Sequence, residues 1–326
     1  MKKRSFLSLA PATLLALAWG GTAFGQDKVD PTTRLVVADQ GELVRNLLDA
    51  SGERRKLGFQ IEFPNFAGGP AIFEAIRAGV LDIAYVGDTP PIQARAAGTL
   101  LPIVATFTRE VAQYRLVSRP GLVIDRLADL KGRKVSYVEG SGRQVFLIEA
   151  LNRAGLTLKD VEPVNLRVAD LPDALRSRAV DVAVLMEPFV TRLEQAGATP
   201  VRDPQERRLL PTTSYIYARP QVLADPKKSA AIAQFIAAFV RAGKWSNAHE
   251  KEWGKYYFTD FQHLDADSAQ AIIQAQSPLV FQTSREAIPH HQKLIDILHK
   301  AGSIPTAFDA RGSFVDTFDG VIAANR

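Results

Sequence analysis

The sequence predicts an α/β protein of two lobes, in which each lobe has a mostly parallel sheet flanked by helices. Three observations support this prediction: strands alternate with helices, the same order restarts in the second third of the chain, and two extended stretches connect the halves. The chain of 326 residues is 46% hydrophobic and 23% charged, which is ordinary for a folded globular protein and excludes a disordered or collagen-like chain. This length suits two domains.

The first third of the chain reads as alternating strands and helices. Apolar runs of strand type occupy 34–38, 59–63 and 82–86, and segments with helical spacing lie between and after them. The helix that begins at Pro70 is expected to bury one face, made of Ile72, Phe73, Ile76 and Val80. Short connections in this order are typical of parallel strands joined by crossover helices.

The second third repeats this arrangement. A strand at 134–138, a turn at 140–142 and a helix at 145–154 restart the order. Segment 174–197 then matches segment 75–98 without a gap, at a constant offset of 99 residues (174 − 75 = 99). Both segments read as a helix, an Asp-Ile/Val-Ala strand, an acid beside proline, and a helix that ends in Ala-Gly. A gapless match of this length predicts two similar lobes.

Two extended stretches, 103–118 and 210–219, are expected to cross between the lobes as a two-strand hinge. The predicted division is 26–108 for the first part of lobe I, 109–212 for lobe II and 213–326 for the return to lobe I, with helices at 229–245, 268–276 and 289–298. Ligands of such sheets bind beyond the carboxyl ends of the strands, and a pocket between lobes is a usual site.

Residues 1–25 have the pattern of a cleaved Sec-type export signal. Lys2, Lys3 and Arg4 precede an apolar stretch at 6–19 that is broken by Pro11 and is shorter than the roughly 20 residues of a membrane span. No cysteine follows that could carry a lipid, so we expect a periplasmic protein that does not span the membrane. Cleavage would lower the formal charge from +5 to +2 (5 − 3 = 2), which removes the reason to expect nucleic acid as a partner.

Three strand-to-helix turns have the residue types that hold an anion: 67–70, 87–91 and 140–143. A helix start presents unpaired N–H groups and the positive end of the helix dipole. Glycine allows close approach of a ligand, and hydroxyl groups add donors. The three turns therefore predict a site for a phosphate, sulfate, sulfonate or carboxylate group.

Several charged residues near these turns have two readings. Arg143 is expected either to pair with an anionic group or to face solvent. Asp88 and Glu187 lie at helix starts, where they could cap the helix or bind the amine of a zwitterion. Arg109 and Glu110, in the first crossing, could form a salt bridge at the hinge or contact the ligand.

The sequence excludes several other kinds of site. The chain has no cysteine, so it has no disulfide, zinc-thiolate site, iron–sulfur cluster or cysteine nucleophile. Its five histidines lack metal-ligand spacing, and no phosphate loop, dinucleotide fingerprint or nucleophile elbow is present. We therefore expect no cofactor, no metal and no catalytic residue.

Several of these segments resemble the aliphatic-sulfonate binding proteins of ABC importers. The segments are Gly87-Asp88-Thr89-Pro90-Pro91 with Gln93-Ala94, Leu130-Lys131-Gly132, Gly140-Ser141, Ala154-Gly155-Leu156 and Glu187-Pro188-Phe189. The resemblance covers nearly the whole chain after the export signal, and the Gly-Asp-Thr-Pro-Pro turn is its most specific part. The broader group includes binding proteins for taurine, nitrate, bicarbonate and thiamine precursors.

This resemblance implies the two-lobed periplasmic binding protein fold of type II, a small sulfonate-type anion as ligand, and delivery by hinge closure from a monomer to an inner-membrane ABC permease. The ligand-binding residues expected on this basis are Gln40, Gly69, Gly87, Asp88, Thr89, Gly140, Ser141, Gly142, Arg143 and Glu187. Gln40 stands where the family often has lysine, and Arg143 stands where it usually lacks arginine. This exchange predicts that the charge partner of the anion has moved.

Three alternatives remain open at this point. The ligand could be nitrate, taurine or a sulfonated aromatic compound. Sulfinate desulfinases resemble the same family, but they depend on a catalytic cysteine that this chain lacks. A sensory adaptor that binds the same ligand without transporting it is compatible with every residue.

Overall fold

The computed structural model describes residues 29–66 and 68–326. The predicted export signal at 1–25 and Ala67 of the first predicted anion turn lie outside the described residues. Within the described part, no helix is both long enough and apolar enough to cross a membrane.

The strands in chain order are β1 (Arg34–Gln40), β2 (Gln60–Glu62), β3 (Asn65–Phe66), β4 (Ile83–Gly87), β5 (Ile103–Arg109), β6 (Arg115–Ser118), β7 (Lys134–Tyr137), β8 (Glu162–Asn165), β9 (Val182–Leu185), β10 (Thr199–Pro200), β11 (Thr212–Ala218) and β12 (Val280–Gln282). The helices are α1 (Leu43–Ala50), α2 (Gly69–Arg77), α3 (Thr89–Ala96), α4 (Gly142–Arg153), α5 (Leu171–Arg176), α6 (Phe189–Gln195), α7 (Pro220–Ala224), α8 (Pro226–Ala248), α9 (Glu250–Gly254), α10 (Ala266–Ala275), α11 (Ser284–Lys300) and α12 (Asp319–Asn325). A π-helical segment, Lys255–Phe261, follows α9 directly.

Lobe I is built on a seven-stranded sheet with the order β12-β5-β11-β4-β1-β2, and β3 pairs with β1 beside β2. Strand β1 runs parallel to β2, β3 and β4, whereas β11 is antiparallel to both β4 and β5. Strands from the first third and the last third of the chain therefore share one sheet, as expected for a chain that leaves this lobe and returns to it.

Lobe II is built on a five-stranded sheet with the order β10-β6-β9-β7-β8. Strand β7 is parallel to β8 and β9, and β6 is antiparallel to β9 and β10. Buried apolar clusters lie around this sheet, one containing Leu116, Val182 and Val184 and the other containing Val117, Ala183 and Leu185. Because side chains of successive strand residues point to opposite faces, these alternating residues show that both faces are covered.

The internal repeat of the sequence corresponds to one structural unit in each lobe. Strands β4 and β9 begin 99 residues apart, as do the ends of α2 and α5 and the ends of α3 and α6. The backbone also matches: Gly79 and Arg178 both have positive φ, 79° and 61°, and so do Gly98 and Gly197, 83° and 87°. The repeated sequence therefore specifies the same strand, turns and helix ends twice.

Helix α11 connects the two lobes through an apolar cluster. Its residues Leu294, Ile295 and Leu298 pack with Val145 and Ile148 of α4. Every one of these side chains is at most 4% exposed. Lobe II thus rests on a helix of the last third of the chain as well as on the two crossings.

One sequence prediction about a helix face is wrong. Ile72 and Ile76 of α2 are buried as predicted, but Val80 is 64% exposed. Helix α2 ends at Arg77, and Gly79 turns the chain with a φ of 79°, so Val80 lies beyond the face to which the pattern assigned it.

The contact between α2 and α3 depends on a glycine. A Cβ atom on Gly69 would lie 2.6 Å from Cγ of Pro90 and 3.1 Å from Cγ2 of Val86. We predict that Gly69→Ala lowers the free energy of unfolding by about 1–3 kcal/mol, because the added methyl group overpacks this contact. Urea denaturation measures the change.

Gly320→Ala is the matched control, since a Cβ atom on Gly320 in α12 would meet no atom within 4 Å. This control should be neutral or stabilising, because alanine has the higher helix propensity. Equal stability of Gly69→Ala and the unsubstituted protein would contradict the packing role of Gly69.

Candidate functional site

The two lobes meet around Tyr114, a residue of the first crossing between β5 and β6. A Cβ atom on Gly87, at the end of β4, would lie 3.6 Å from the Tyr114 hydroxyl oxygen, and a Cβ atom on Gly142, at the start of α4, would overlap the same hydroxyl. One side chain therefore touches a strand end of lobe I and a helix start of lobe II. Strand ends of this kind are the usual place for a ligand in α/β sheets.

The turn before α4 is held by its own hydrogen bonds. Gly140 has a φ of 71°, a value that favours glycine. The hydroxyl of Ser141 donates to the Val138 carbonyl at 2.7 Å and accepts from the Arg143 N–H at 3.3 Å. The Gln144 side chain accepts from the Gly140 N–H at 2.9 Å. These bonds fix the start of α4 and therefore the position of Arg143.

Arg143 is a buried cation that has no charged partner among the described residues. The residue is 5% exposed, and its Cζ lies 5.6 Å from the centre of the Tyr114 ring. Its Nε has no hydrogen-bond partner, and no carboxylate of the described residues lies within ion-pair distance of it. Burial lowers the pKa of Arg143, since it disfavours the charged form. Buried charges are normally paired, so an anion is the group that this side chain lacks.

Asp88 and Thr89 lie on the lobe I side of Tyr114. Asp88 is 6% exposed, and one of its carboxylate oxygens accepts from the Thr89 hydroxyl at 3.0 Å. The other oxygen is 3.8 Å from Nε2 of His290 on α11, a distance beyond a hydrogen bond. Within the part of the chain that the structure describes, Nε2 of His290 is itself buried without a hydrogen-bond partner. The side chain of Asp88 does not cap α3, so its carboxylate keeps bonding capacity.

The start of α1, which follows the predicted ligand residue Gln40, is occupied by a carboxylate of the chain itself. The Asp39 carboxylate accepts from the N–H groups of Val44 and Arg45 at 3.1 and 2.8 Å. Burial raises the pKa of Asp39 to about 6, although these hydrogen bonds and the Arg45 charge act in the opposite direction. A ligand anion would have to displace this carboxylate to reach the N–H groups of α1.

Glu187 occupies the start of α6 in a similar way. Its Oε2 accepts from the Thr191 N–H at 3.1 Å. The structure therefore supports the capping alternative for Glu187. Gly69, another predicted ligand residue, has a packing contact with α3.

The structure brings five of the predicted ligand residues together around Tyr114: Gly87, Asp88, Thr89, Gly142 and Arg143. Gly140 and Ser141 shape the turn before α4. Ligand contact by any of these residues stays a prediction.

Three tyrosines that sequence reasoning missed lie in this region. The Tyr85 ring stacks on Phe107 at 5.3 Å, and burial raises the pKa of its hydroxyl. Burial also raises the pKa of Tyr114 to about 12. The Tyr257 hydroxyl, from the π-helical segment, donates to the Gly41 carbonyl at 3.0 Å, next to Gln40. Tyr85 could have been found from its place in strand β4, but no local pattern connects Tyr257 with Gly41.

Arg109, at the end of β5, is held by a backbone group. Its guanidinium donates to the Ser277 carbonyl, and burial lowers its pKa to about 10. This contact fits the structural alternative for Arg109, although the partner is a carbonyl rather than Glu110.

Among residues 29–66 and 68–326, no group of three or more His, Cys, Asp or Glu side chains is placed to hold a metal ion.

Polar contacts between α6 and lobe I, which we call the rim contacts, also join the lobes. The Arg192 guanidinium of α6 donates to the Gln262 carbonyl at 2.5 Å. The Gln195 amide of the same helix donates to Asp265 at 3.0 Å and to Ser268 at 3.2 Å. These partners follow the π-helical segment in lobe I, so α6 of lobe II is in contact with lobe I.

Comparison with known proteins identifies the same architecture. A family model described as NMT1/THI5 like matches residues 57–252. A protein of Escherichia coli (strain K12) named "Putative aliphatic sulfonates-binding protein" is 28% identical over 262 residues, which cover 79% of this chain and 80% of the relative. The alkanesulfonate-binding protein SsuA of Xanthomonas axonopodis pv. citri, solved with MOPS, has a TM-score of 0.77 at 20% identity and covers 88% of this chain and 99% of its own.

The desulfurization enzyme DSZB is a more distant structural neighbour, with a TM-score of 0.64 at 16% identity over 90% of this chain and 99% of its own. Together with the two sheets and two crossings, these similarities show the two-lobed periplasmic binding protein fold that the sequence predicts.

Because Arg143 is buried without an ion-pair partner, it should affect the stability of the ligand-free protein. We predict that Arg143→Met leaves the free energy of unfolding unchanged or raises it by about 1–4 kcal/mol, because replacing an unpaired buried charge with an apolar side chain removes a desolvation cost. Urea denaturation of protein that has been refolded without ligand measures the change.

Arg115→Met in the same lobe is the control with the opposite expectation. Arg115 Nε lies 2.7 Å from Glu206, which is fully buried, so its removal would leave Glu206 uncompensated and cost roughly 3–5 kcal/mol. If Arg143→Met destabilised the protein as much as Arg115→Met, Arg143 would have a partner within the chain.

Proposed function

The chain belongs to the NMT1/THI5-like family, and on that premise we propose that it is a solute-binding protein that captures a small sulfonate-type organic anion for an ABC importer. The observation that carries this proposal is the guanidinium of Arg143, which is buried and unpaired at the start of α4 where the lobes meet. The relative named for aliphatic sulfonate binding supports the sulfonate as the anionic group.

The chemistry of the α4 start suits a sulfonate. A guanidinium offers several N–H donors in a planar fork, and the helix start adds backbone N–H groups and the positive end of the dipole. A sulfonate has three acceptor oxygens and one negative charge, so it can accept from both sources. Because Asp39 and Glu187 already occupy the starts of α1 and α6, the start of α4 is the best of these three places for the ligand.

Hinge closure is the mechanism we propose for capture. A ligand at Arg143 also lies near Tyr114 and the Gly87–Thr89 turn of lobe I, so it would contact both lobes in the arrangement described above. A ligand favours the state to which it binds more tightly, and contacts to both lobes exist only when the lobes are together. The contacts of Arg192 and Gln195 across the cleft would then support the closed state that docks on the permease.

A binding role accounts for the residues better than catalysis does. The structural neighbour DSZB is a desulfurization enzyme, but this chain has no cysteine to supply a thiolate nucleophile.

We further propose that residues 1–25 direct export to the periplasm and that the protein acts there as a monomer. A sensory role would use the same ligand, and failure to stimulate a reconstituted importer would favour it.

Ligand binding should be detectable as thermal stabilisation and as heat. We predict that short alkanesulfonates raise the melting temperature, because a ligand that binds only the folded state stabilises it. Arg143→Met should weaken this binding by about 1.5–3 kcal/mol, or roughly 10–150-fold in Kd, through loss of a charge-assisted hydrogen bond. Isothermal titration calorimetry measures the two dissociation constants.

Arg153→Met, at the exposed end of the same helix, is the matched control and should bind as the unsubstituted protein does. Binding of nitrate or bicarbonate without any sulfonate would contradict the ligand class. Unchanged affinity of Arg143→Met would contradict the assignment of the anion to Arg143.

Loss of the hydrogen bond between Arg192 and the Gln262 carbonyl should make ligand release faster. We predict that Arg192→Met raises the dissociation rate severalfold with little change in the association rate, because it removes a hydrogen bond that exists only while the lobes touch. Stopped-flow measurement of ligand exchange gives both rates.

Arg176→Met is the matched control, because it removes an arginine of lobe II whose ion pair, with Asp173, lies within its own helix. Its rates should equal those of the unsubstituted protein. A dissociation rate of Arg192→Met equal to that of Arg176→Met would show that the rim contact does not hold the closed state.

A further inference from the structure

Helix α11 is anchored in lobe I by contacts of its N-terminal half. Nδ1 of His291, which is fully buried, forms a hydrogen bond with the Tyr215 hydroxyl of β11 at 3.0 Å. The Phe314 ring packs edge-on against both of these rings. At the helix start, the Ser284 hydroxyl donates to Asp319 at 2.6 Å. These contacts make α11 a part of lobe I.

The C-terminal half of α11 covers an apolar face of α4 in lobe II. Phe146 of α4 packs within lobe II, whereas Val145 and Ile148 pack with α11 and with Ile92 of α3. Val145 is 1% exposed and Ile148 is 4% exposed, so separation of the two helices would expose buried apolar side chains to water. The α4–α11 contact, as we call it, consists of Val145 and Ile148 of α4 with Leu294, Ile295 and Leu298 of α11.

The α4–α11 contact lies beside the second crossing between the lobes. Leu210, in that crossing, is 6% exposed and belongs to the same apolar cluster as Val145 and Leu294. The two crossings are themselves joined, since the Ala112 N–H donates to the Arg207 carbonyl at 3.2 Å. The crossings and the α4–α11 contact therefore form one continuous connection between the lobes.

The rim contacts are of a different kind. Arg192 and Gln195 of α6 contact lobe I through hydrogen bonds that are exposed to solvent. The apolar residues of α6 and α10 belong to separate clusters: Val190 packs within lobe II, and Ile272 packs within lobe I. Water replaces exposed hydrogen bonds at little cost, because it donates and accepts in their place. The lobes are therefore held weakly at α6 and strongly at α4.

We infer that α11 is a third element of the hinge, which stays packed on α4 when the lobes separate, so that the cleft opens at α6. This inference rests on the hinge closure of the proposed function and specifies where the lobes move. Two extended crossings alone would let lobe II twist as well as bend. The apolar contact beside them restricts lobe II to rotation about α11, because other motions would expose the packed side chains to water.

The test links the lobes at one contact or the other in a chain that has no cysteine of its own. Gln195→Cys with Ser268→Cys joins α6 to α10, where the two side chains are 3.2 Å apart. Glu149→Cys with Lys293→Cys joins α4 to α11, where the two side chains are 3.7 Å apart. Both double variants of the full-length exported protein are linked by the same short bis-maleimide in the absence of ligand. Each linked protein is compared with the same variant capped by N-ethylmaleimide.

We expect the α6–α10 link to slow association of butane-1-sulfonate by about tenfold or more, and the α4–α11 link to leave both rates within about twofold, as measured by stopped flow. The first link holds the cleft shut, whereas the second joins elements that stay together. Equal slowing by the two links would overturn the inference, as would unchanged ligand exchange with the α6–α10 link in place. Failure of the unsubstituted protein to bind any short alkanesulfonate would overturn the proposed function, and the inference would then be decided by a measurement without ligand.

That measurement is the reactivity of a thiol within the α4–α11 contact. In the folded, ligand-free protein, Ile148→Cys should react with N-ethylmaleimide as slowly as Ala150→Cys, whose side chain is buried within lobe II. Lys293→Cys gives the rate of an accessible thiol, since the Lys293 side chain is 51% exposed. Reaction of Ile148→Cys at a rate close to that of Lys293→Cys would show that α11 leaves α4 and would overturn the inference. Val145→Cys replaces Ile148→Cys if circular dichroism and the melting temperature show that the latter fails to fold.

Discussion

The arrangement of the two lobes depends on the close approach of Tyr114 to two glycines. Gly87 ends the central strand of lobe I and Gly142 begins α4 of lobe II, and a side chain at Gly142 would occupy the space of the tyrosine hydroxyl. Because Gly142 has no Cβ atom, the ring of Tyr114 can lie against the start of α4 while its hydroxyl stays within contact distance of Gly87. The ring therefore lies beside both of the glycines that Asp88 and Arg143 follow.

The distribution of helix starts explains why α4 differs from its counterparts. A helix start with unpaired N–H groups attracts any anion, including a carboxylate of the same chain. Asp39 fills the start of α1 and Glu187 fills that of α6, whereas α4 has the neutral Ser141 as its cap and a cation at its second position. Of these three helix starts, α4 is thus the one where the described residues supply no carboxylate, and it is there that we propose an external anion binds.

The repeated unit was predictable from sequence because its pattern is local. The offset of 99 residues recurs in strand starts, helix ends and left-handed turns, all of which depend on nearby residues. Contacts between distant segments were not predictable: nothing in the sequence around Tyr257 points to the Gly41 carbonyl, and nothing around Leu294 points to α4. For the site, residue types identified Asp88 and Arg143 as candidates, but their burial and lack of partners follow from how the lobes pack.

Burial of these two charges would also make the proposed closure depend on the ligand. If the lobes close on an empty cleft, Arg143 and Asp88 lose water without gaining a partner, and the closed state pays a desolvation cost. The rim contacts of Arg192 and Gln195 are exposed hydrogen bonds, each of which offsets only about 0.5–1.5 kcal/mol. A ligand that pairs the buried groups removes the cost in the closed state alone, so its binding energy is differential between the two states. The same unpaired charges would therefore keep the lobes apart until a ligand that pairs with them enters.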